Sequence, residues 1–211
     1  DWPAVGVTWW GPGDVAILFR RLTQVAEYER ALREAGIPFR LARGGGLYQA
    51  PEVRDLGELL ASLADPGDAA AWAALLRSPL CAVSDGALVL LARVGLGRLG
   101  RMAAGELAAA LEGAAGEDPA APAGFTDGEW SRLLRFLDAW RALRAVRDRL
   151  PVGDLLRRAA RDLDLDAAHL ASPEGERRLG NLEKAIALTA RLGADGLGPA
   201  EVARYLRAQA S

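Results

Sequence analysis

The sequence predicts a mainly α-helical fold, a multi-helix domain with a small N-terminal βαβ piece of an incomplete parallel α/β sheet. Two observations lead to this prediction. After residue 46, apolar residues recur at helical spacing almost to the end of the chain. Before residue 46, two short apolar runs flank one amphipathic segment, and short joints connect the three. Such a strand–helix–strand unit is expected to be parallel and right-handed.

The predicted βαβ piece occupies residues 15–41. Residues 15–19 form a continuous apolar run of strand length, which is typical of a strand buried on both faces of a parallel sheet. Residues 22–35 carry a helical period that Gly36 ends, and residues 37–41 are predicted as the second strand. Because two strands cannot make a stable sheet alone, we expect the remaining strands to lie outside this chain.

The rest of the chain is predicted as a succession of helices. Pro51 suits a first helical turn, and Asp68 is placed to cap a helix over 69–77. Thr126 opens the longest helix, to about residue 150, and Glu129 stands where a capping box needs it. Further helices are expected over 85–93 with Ser84 or Asp85 as the cap, near 103–112, and over 151–163, 174–192 and 199–209.

Composition restricts the classes of function. The 211 residues are 51% hydrophobic, enough to bury the core of one domain or one and a half. No apolar run approaches the roughly 20 residues of a membrane span. Cys81 is the only cysteine, which excludes an intrachain disulfide and suits a reducing, cytoplasmic compartment. With His169 as the only histidine, a metal site rich in cysteine or histidine is excluded.

No constellation in the sequence predicts a catalytic site. The phosphate-binding pattern Gly-x-x-x-x-Gly-Lys-Ser/Thr is missing, and the single lysine, Lys184, follows no glycine loop. The glycines at 44–46 lack the spacing of a dinucleotide site and are interpreted as a flexible exit from a strand. Asp162, Asp164 and Asp166 resemble a calcium loop without its glycine and terminal glutamate, and are interpreted as a polar helix end.

The longest predicted helix carries six arginines, and their role is open. They lie largely away from the apolar stripe of that helix, so they form either a solvated face or a face that contacts phosphates. The net charge of −2 gives no global basic signal for nucleic acid. The six are Arg132, Arg135, Arg141, Arg144, Arg147 and Arg149.

Several segments, taken in order, resemble the UvrD/Rep group of superfamily 1 DNA helicases. The first three are Asp14-Val-Ala-Ile-Leu-Phe-Arg20, Tyr28-Glu-Arg-Ala-Leu-Arg-Glu-Ala-Gly-Ile-Pro-Phe-Arg40 and Gly45-Gly-Leu-Tyr-Gln-Ala-Pro-Glu-Val-Arg-Asp-Leu56. The continuation resembles the RecB/AddA branch, whose members are helicase–nuclease subunits: Leu63-Ala-Asp-Pro-Gly-Asp68, Leu75-Leu-Arg-Ser-Pro-Leu80 and Ser84-Asp85. Arg177-Arg-Leu-Gly-Asn-Leu-Glu183 resembles the Arg-x-x-Asn-Leu element that the family carries late in its inserted subdomain.

The resemblance implies a fragment of an ATP-dependent DNA helicase, and the first residue, Asp1, favours a piece cut from a longer chain. Family members contain two RecA-like lobes, each with an inserted subdomain. Residues 1–48 would be part of the second motor lobe, and residues 49–211 the helical subdomain inserted into it. The parent would use ATP and magnesium in repair and recombination of double-strand breaks, with exonuclease activity. The fragment itself would hold no cofactor or metal and would not hydrolyse ATP.

Three residues are candidate nucleic-acid contacts by this resemblance. Arg20 matches a motif near the single strand, and an arginine at a strand end suits a phosphate contact. Tyr48 and Arg54 match the Gly-Gly-x-x-Phe/Tyr…Glu-x-x-Asp stretch that joins lobe to subdomain. Tyr48 is expected either to stack on a base or to pack at the junction. Where some relatives touch duplex DNA with a Gly-Ile-Gly loop, residues 82–84 read Ala-Val-Ser.

The expected partners are single-stranded DNA, single-strand/duplex junctions, the rest of the parent motor and a partner subunit, with no membrane. Two other interpretations stay open. One is a helical protein-interaction scaffold without a nucleic-acid role, which would not show salt-dependent binding to a DNA junction. The other is a helicase-like subunit whose motor has been lost, which a parent sequence lacking the ATP-binding loop would reveal.

Overall fold

The computed structural model describes residues 11, 14–20, 25–39, 46–112, 121–170 and 174–210. The chain divides into two compact units, one within residues 1–46 and one within residues 47–211. Its helices are α1 (Val25–Glu34), α2 (Pro51–Ala64), α3 (Ala69–Arg77), α4 (Asp85–Val94), a 3₁₀ helix (Leu96–Arg101), α5 (Ala104–Glu112), α6 (Asp127–Val146), α7 (Val152–Asp162), α8 (Leu165–Leu170), α9 (Gly175–Ala194) and α10 (Pro199–Ala210). No helix within the described ranges is long and apolar enough to cross a membrane.

The predicted βαβ piece is wrong, because the described residues contain no strand. Residues 15–19 have no regular secondary structure, and the side chains of Val15 and Leu18 are 65% and 93% exposed. Residues 37–39 likewise lack regular structure, and residues 40–41 lie outside the described part of the chain. The physical reason is that a strand is held by backbone hydrogen bonds to a neighbouring strand, whereas an apolar run supplies only the side chains.

The helix predicted between those two runs is present as α1, and Gly36 ends it as predicted. Gly36 has φ +66°, a left-handed conformation that favours glycine. Its backbone N–H donates to the carbonyl of Arg33 at 3.0 Å, and that of Ile37 donates to the carbonyl of Leu32 at 2.9 Å. These two bonds form a Schellman motif, which satisfies carbonyls that the end of the helix would otherwise leave unpaired.

In the second unit, α2 is the helix around which the others are arranged. It packs against α10, α3, α9 and α6. The apolar stripe predicted for α2 is buried: Val53, Leu56, Leu59, Leu60 and Leu63. Because the first turn of α2 follows directly on the boundary between the two units, residues near that boundary are held by the core of the second unit.

Aromatic rings join three helices in this core. The Trp72 ring of α3 lies with its centroid 4.9 Å from that of Trp140 and 6.2 Å from that of Phe136, both on α6. The Trp140 indole Nε1 donates to the Ser62 hydroxyl of α2 at 2.9 Å, and the Trp72 indole Nε1 donates to the carbonyl of Pro66 at 2.9 Å. Both buried indoles therefore have acceptors, so their burial stabilises the fold without an unpaired donor.

Three predicted helix starts are confirmed by their hydrogen bonds. Asp68 accepts from the backbone N–H of Ala71 at 2.9 Å and caps α3. Ser84, rather than Asp85, is the cap of α4. The capping box of α6 is complete, with Thr126 and Glu129 bonded reciprocally. Each of these side chains forms a hydrogen bond within the first turn of its own helix. Helix N-termini of this kind can therefore be predicted from sequence.

Candidate nucleic-acid interface

Arg20 belongs to the first unit, whereas the other two candidate residues belong to the second. Arg20 is exposed and lies in a bend after the irregular run 15–19. The strand end on which its prediction was based is not present in the described residues. An exposed arginine remains chemically able to bind a phosphate, but its position no longer argues for that role.

Tyr48 lies just before α2 and packs against Tyr205 of α10. The two ring centroids are 6.1 Å apart with an interplanar angle of 73°, and the two hydroxyl oxygens are 3.3 Å apart. The hydrogen bond to Tyr205, followed by burial, raises the pKa of Tyr48 above its usual value. Tyr48 thus packs within the second unit and remains partly exposed; whether it also packs at a junction with the lobe, or stacks on a base, stays a prediction.

Arg54 is exposed in the first turns of α2, beside a groove between α2 and α10. The groove has a volume of about 330 Å³ and is lined by Arg54, Gly57, Glu58, Leu206, Arg207 and Ala210. Arg207 is engaged on the floor of this groove, with Glu58 and, at 3.0 Å, with Asp68. The hydrogen bond to Glu58 is the main cause that raises the pKa of Arg207. Of the two groove arginines, Arg207 is thus engaged in ion pairs, and Arg54 is the more exposed residue.

Two of the segments that resemble the helicase family meet in the structure. Glu52, the glutamate of the Glu-x-x-Asp stretch, is only 2% exposed, and its Oε1 accepts from the side-chain amide of Asn181 at 2.6 Å. Asn181 is the asparagine of the Arg-x-x-Asn-Leu element and lies 129 residues later, on α9. The other carboxylate oxygen of Glu52 is buried and has no hydrogen-bond partner among the described residues. The two segments each resemble the family, but nothing in their sequences indicates that these two residues pair.

Asp55, the acid that completes Glu-x-x-Asp, has a perturbed carboxyl group. Burial raises the pKa of Asp55 from 3.8 to about 7, and the neighbouring Glu52 carboxyl adds to the rise. Arg54 on the same helix and Arg178 on α9 act in the opposite direction. The start of α2 therefore carries a buried carboxyl group, Glu52, and a half-buried one, Asp55, beside the exposed Arg54.

The loop that replaces Gly-Ile-Gly is tied to the start of α6. The backbone N–H of Ser84 donates to Oε1 of Glu129 at 2.9 Å. The other carboxylate oxygen of Glu129 accepts from the backbone N–H and the hydroxyl of Thr126, at 2.9 and 2.8 Å. These hydrogen bonds lower the pKa of Glu129 from 4.5 to about 2. The bond from the Thr126 backbone N–H has the largest effect. The Ser84 amide, which a phosphate would need, is thus already bonded to a carboxylate.

The arginines of α6 mostly bond to carbonyls of the protein itself. Arg132 donates to the carbonyl of Cys81 at 3.2 Å, and Arg141 donates to that of Gly100 at 3.3 Å. Arg144 donates to the last carbonyls of α2, which have no partner inside that helix. These three arginines therefore form neither a solvated face nor a face free to contact phosphates. Their hydrogen bonds connect neighbouring segments to α6. The exposed members of the set are Arg135 and Arg149.

The described residues do not offer the usual ligands of a metal ion or the usual phosphate-binding loop of a nucleoside triphosphate site. No group of three or more histidine, cysteine, aspartate or glutamate side chains there could hold a metal ion. Cys81 is fully buried, and this burial raises the pKa of its thiol. Lys184, the one lysine, is exposed in the middle of α9, with no glycine loop beside it to cradle phosphates.

Comparison with known proteins finds a local relationship. Over 72 residues the chain is 33% identical to the protein named ATP-dependent DNA helicase UvrD1 from Mycobacterium bovis, Mycobacterium tuberculosis and Mycobacterium leprae. The match covers 34% of this chain and 9% of each relative, so the chain spans less than a tenth of the length of these curated relatives. No protein-family model and no solved structure matches the chain. The local identity supports a relationship to the UvrD/Rep group of superfamily 1 helicases.

Proposed function

We propose that this chain is a DNA-contacting fragment of an ATP-dependent DNA helicase, of the RecB/AddA branch of the UvrD/Rep group. In this proposal residues 49–211 are the helical subdomain inserted into the second motor lobe, and residues 1–48 come from that lobe. The parent translocates on single-stranded DNA, using ATP and magnesium bound elsewhere in its sequence, and processes double-strand breaks together with nuclease activity. The fragment contributes contacts to a DNA junction or to a partner subunit.

The observation that supports this proposal is the contact between Glu52 and Asn181. In a chain rich in alanine, leucine, glycine and arginine, matches between apolar positions arise easily from composition. A buried carboxylate is different, because it costs several kcal/mol unless it finds a partner. Two family-like elements far apart in sequence supply that pair to each other. This supports a common fold as the origin of the resemblance.

The proposal places DNA near the start of α2, where Arg54 is exposed and Tyr48 is partly exposed. A guanidinium can bind a phosphate, and an accessible ring edge can contact a base or sugar. Both residues belong to the N-terminal part of the second unit, Tyr48 just before α2 and Arg54 in its first turns. Nothing in this arrangement requires the Ser84 loop.

Fluorescence anisotropy of a labelled single-strand/duplex junction tests the proposal. The chain should bind the junction at low salt, and Arg54→Ala should weaken binding about threefold to tenfold, as expected for the loss of one phosphate contact. Arg135→Ala is the matched control, since it removes an exposed arginine of α6 and should change the affinity little. The DNA-contacting role is rejected if the junction does not bind, or if both variants weaken it equally.

A protein-interaction scaffold is the second candidate, and one observation favours it. Arg132, Arg141, Arg144 and the Ser84 amide are all occupied by bonds within the protein. A scaffold would bind no junction at any salt concentration. A third candidate, a helicase-like subunit with a lost motor, differs only in the parent, whose sequence would lack the Gly-x-x-x-x-Gly-Lys-Ser/Thr loop.

A further inference from the structure

The contact between α2 and α9 contains a buried carboxylate that is only half satisfied. Glu52 is 2% exposed; its Oε1 accepts from Asn181, and its Oε2 is buried without a partner among the described residues. A buried acceptor that has lost water and gained no donor destabilises the fold. A donor within reach of Oε2 would remove that destabilisation.

The neighbouring acid on the same helix, Asp55, is the candidate for that donor. It follows Glu52 by three residues, a spacing that brings two side chains of one helix side by side. Asp55 is half-buried, so its carboxyl group has also lost much of its water. A carboxyl group in its protonated form is a hydrogen-bond donor, whereas two ionised carboxylates side by side repel each other.

The charged groups around Asp55 come from two helices. Glu52, Arg54 and Glu58 face it from α2, and Arg178 faces it from α9. From α10, Arg207 is directed to Glu58 and to Asp68 of the turn before α3. From α6, Arg144 contacts only the far, C-terminal end of α2. The balance of these groups leaves the pKa of Asp55 at about 7, with burial as the largest cause and Glu52 as the next.

We propose that the carboxyl groups of Glu52 and Asp55 hold one proton between them at the contact of α2 with α9, and that loss of this proton weakens the contact. In the protonated state Asp55 donates to Oε2 of Glu52, while Oε1 keeps the bond from Asn181. In the deprotonated state two carboxylates share a site of low polarity. This proton-sensitive contact is a property of the helical unit and does not depend on whether the chain binds DNA.

The sign of the pH dependence follows from the direction of the shift. The folded state holds the Asp55 proton up to about pH 7, whereas the unfolded state releases it near the ordinary value of 3.8. The stabilisation is therefore complete below that ordinary value and is lost as pH rises through about 7. From this group alone, the folding equilibrium constant should fall about tenfold between pH 6 and pH 8.

Carbon-13 NMR of the side-chain carboxyl groups in the 211-residue chain is the primary test. The Asp55 signal, identified by its absence in Asp55→Asn, should titrate near pH 7, and the side-chain amide of Asn181 should shift with the same midpoint. A midpoint near 4 for Asp55, or an Asn181 amide that does not respond, overturns the proposal. Both midpoints are measured on the wild-type protein. The test of the shared proton therefore holds even if a variant folds poorly.

Urea unfolding at pH 6, 7 and 8 is the second test. Asp55→Asn keeps a donor but cannot titrate, so its stability should be flat where the wild type falls about tenfold in folding constant. Glu52→Gln removes the neighbouring charge and should lower the Asp55 midpoint. Glu183→Gln, at an exposed position of α9, is the matched control and should keep the wild-type dependence. Equal pH dependence in Asp55→Asn and the wild type would refute the shared proton, because the two proteins differ only at Asp55.

Discussion

Replacement of Glu129 by alanine tests the connection between the starts of α4 and α6. In the structure this one carboxylate completes the capping box with Thr126 and accepts the backbone N–H of Ser84. Loss of a cap costs about 1 kcal/mol. Loss of the Ser84 acceptor costs about 1 kcal/mol more, at the low end of the usual range because Ser84 is exposed and water can replace the bond. Glu129→Ala should therefore lower the free energy of unfolding by about 2 kcal/mol.

Urea unfolding followed by tryptophan fluorescence measures this loss, because Trp72 and Trp140 are buried in the core that α6 builds. With a slope of about 2 kcal/mol per molar urea, the midpoint should fall by about 1 M. The control is Asp127→Ala, which removes an exposed acid from the same helical turn and should cost only about 0.3–1 kcal/mol through the helix dipole. Equal losses in the two variants would refute the reasoning, because they would show that Glu129 acts only as a first-turn charge.

The same carboxylate also affects stability in acid. Its pKa is lowered to about 2 from 4.5, so the stabilisation it provides is complete above pH 4.5 and is lost as pH falls toward 2. Glu129→Gln cannot lose a charge in that window. The difference in unfolding free energy between wild type and Glu129→Gln should therefore shrink between pH 5 and pH 2, and a constant difference would contradict the assigned hydrogen bonds.

Three further predictions concern packing, capping and nucleotide binding. A Cβ at Gly153 would lie 2.5 Å from the Cβ of Ala190, so Gly153→Ala should cost about 1–3 kcal/mol, whereas Gly180→Ala, with open space around it, should be neutral or stabilising. Calorimetric melting temperatures of the two variants separate these outcomes. Arg144→Ala removes the hydrogen bonds at the end of α2 and should lower the free energy of unfolding by about 1–3 kcal/mol. The control Arg149→Ala, at an exposed position, should lower it by less than about 0.5 kcal/mol. Equal losses would show that the capping bonds contribute nothing. Calorimetric titration should find no micromolar ATP binding, because the sequence has no phosphate loop, and such binding would contradict that prediction.

Helix positions were predictable from sequence because the deciding interactions are local. Asp68, Thr126 and Gly36 each mark a helix end through bonds that span only a few residues, and each does so in the structure. The 3₁₀ helix Leu96–Arg101 was not predicted, since its glycine-rich composition resembles a loop. It nevertheless buries Leu99 completely, which only the surrounding helices can explain.

The long-range features were not predictable from the sequence pattern alone. A strand depends on a partner strand, so the apolar run at 15–19 was an ambiguous signal. The pairing of Glu52 with Asn181 depends on how α2 meets α9, and nothing in the local spacing of either residue specifies that meeting. In the same way, the arginines of α6 look like a solvated face on their own helix until the carbonyls of other segments are placed beside them. Tyr48 had two expected roles, and its partner Tyr205 was in a distant helix.

The salt dependence of binding to a single-strand/duplex junction tests the proposed DNA-handling role most directly. If Arg54 neutralises one phosphate, the logarithm of the association constant should fall linearly with the logarithm of salt concentration, with a slope of about −1. Arg54→Ala should reduce that slope by about 1. Binding that is absent at 50 mM salt, or that keeps the same strength from about 50 to 200 mM, would contradict the proposal that this chain contacts DNA.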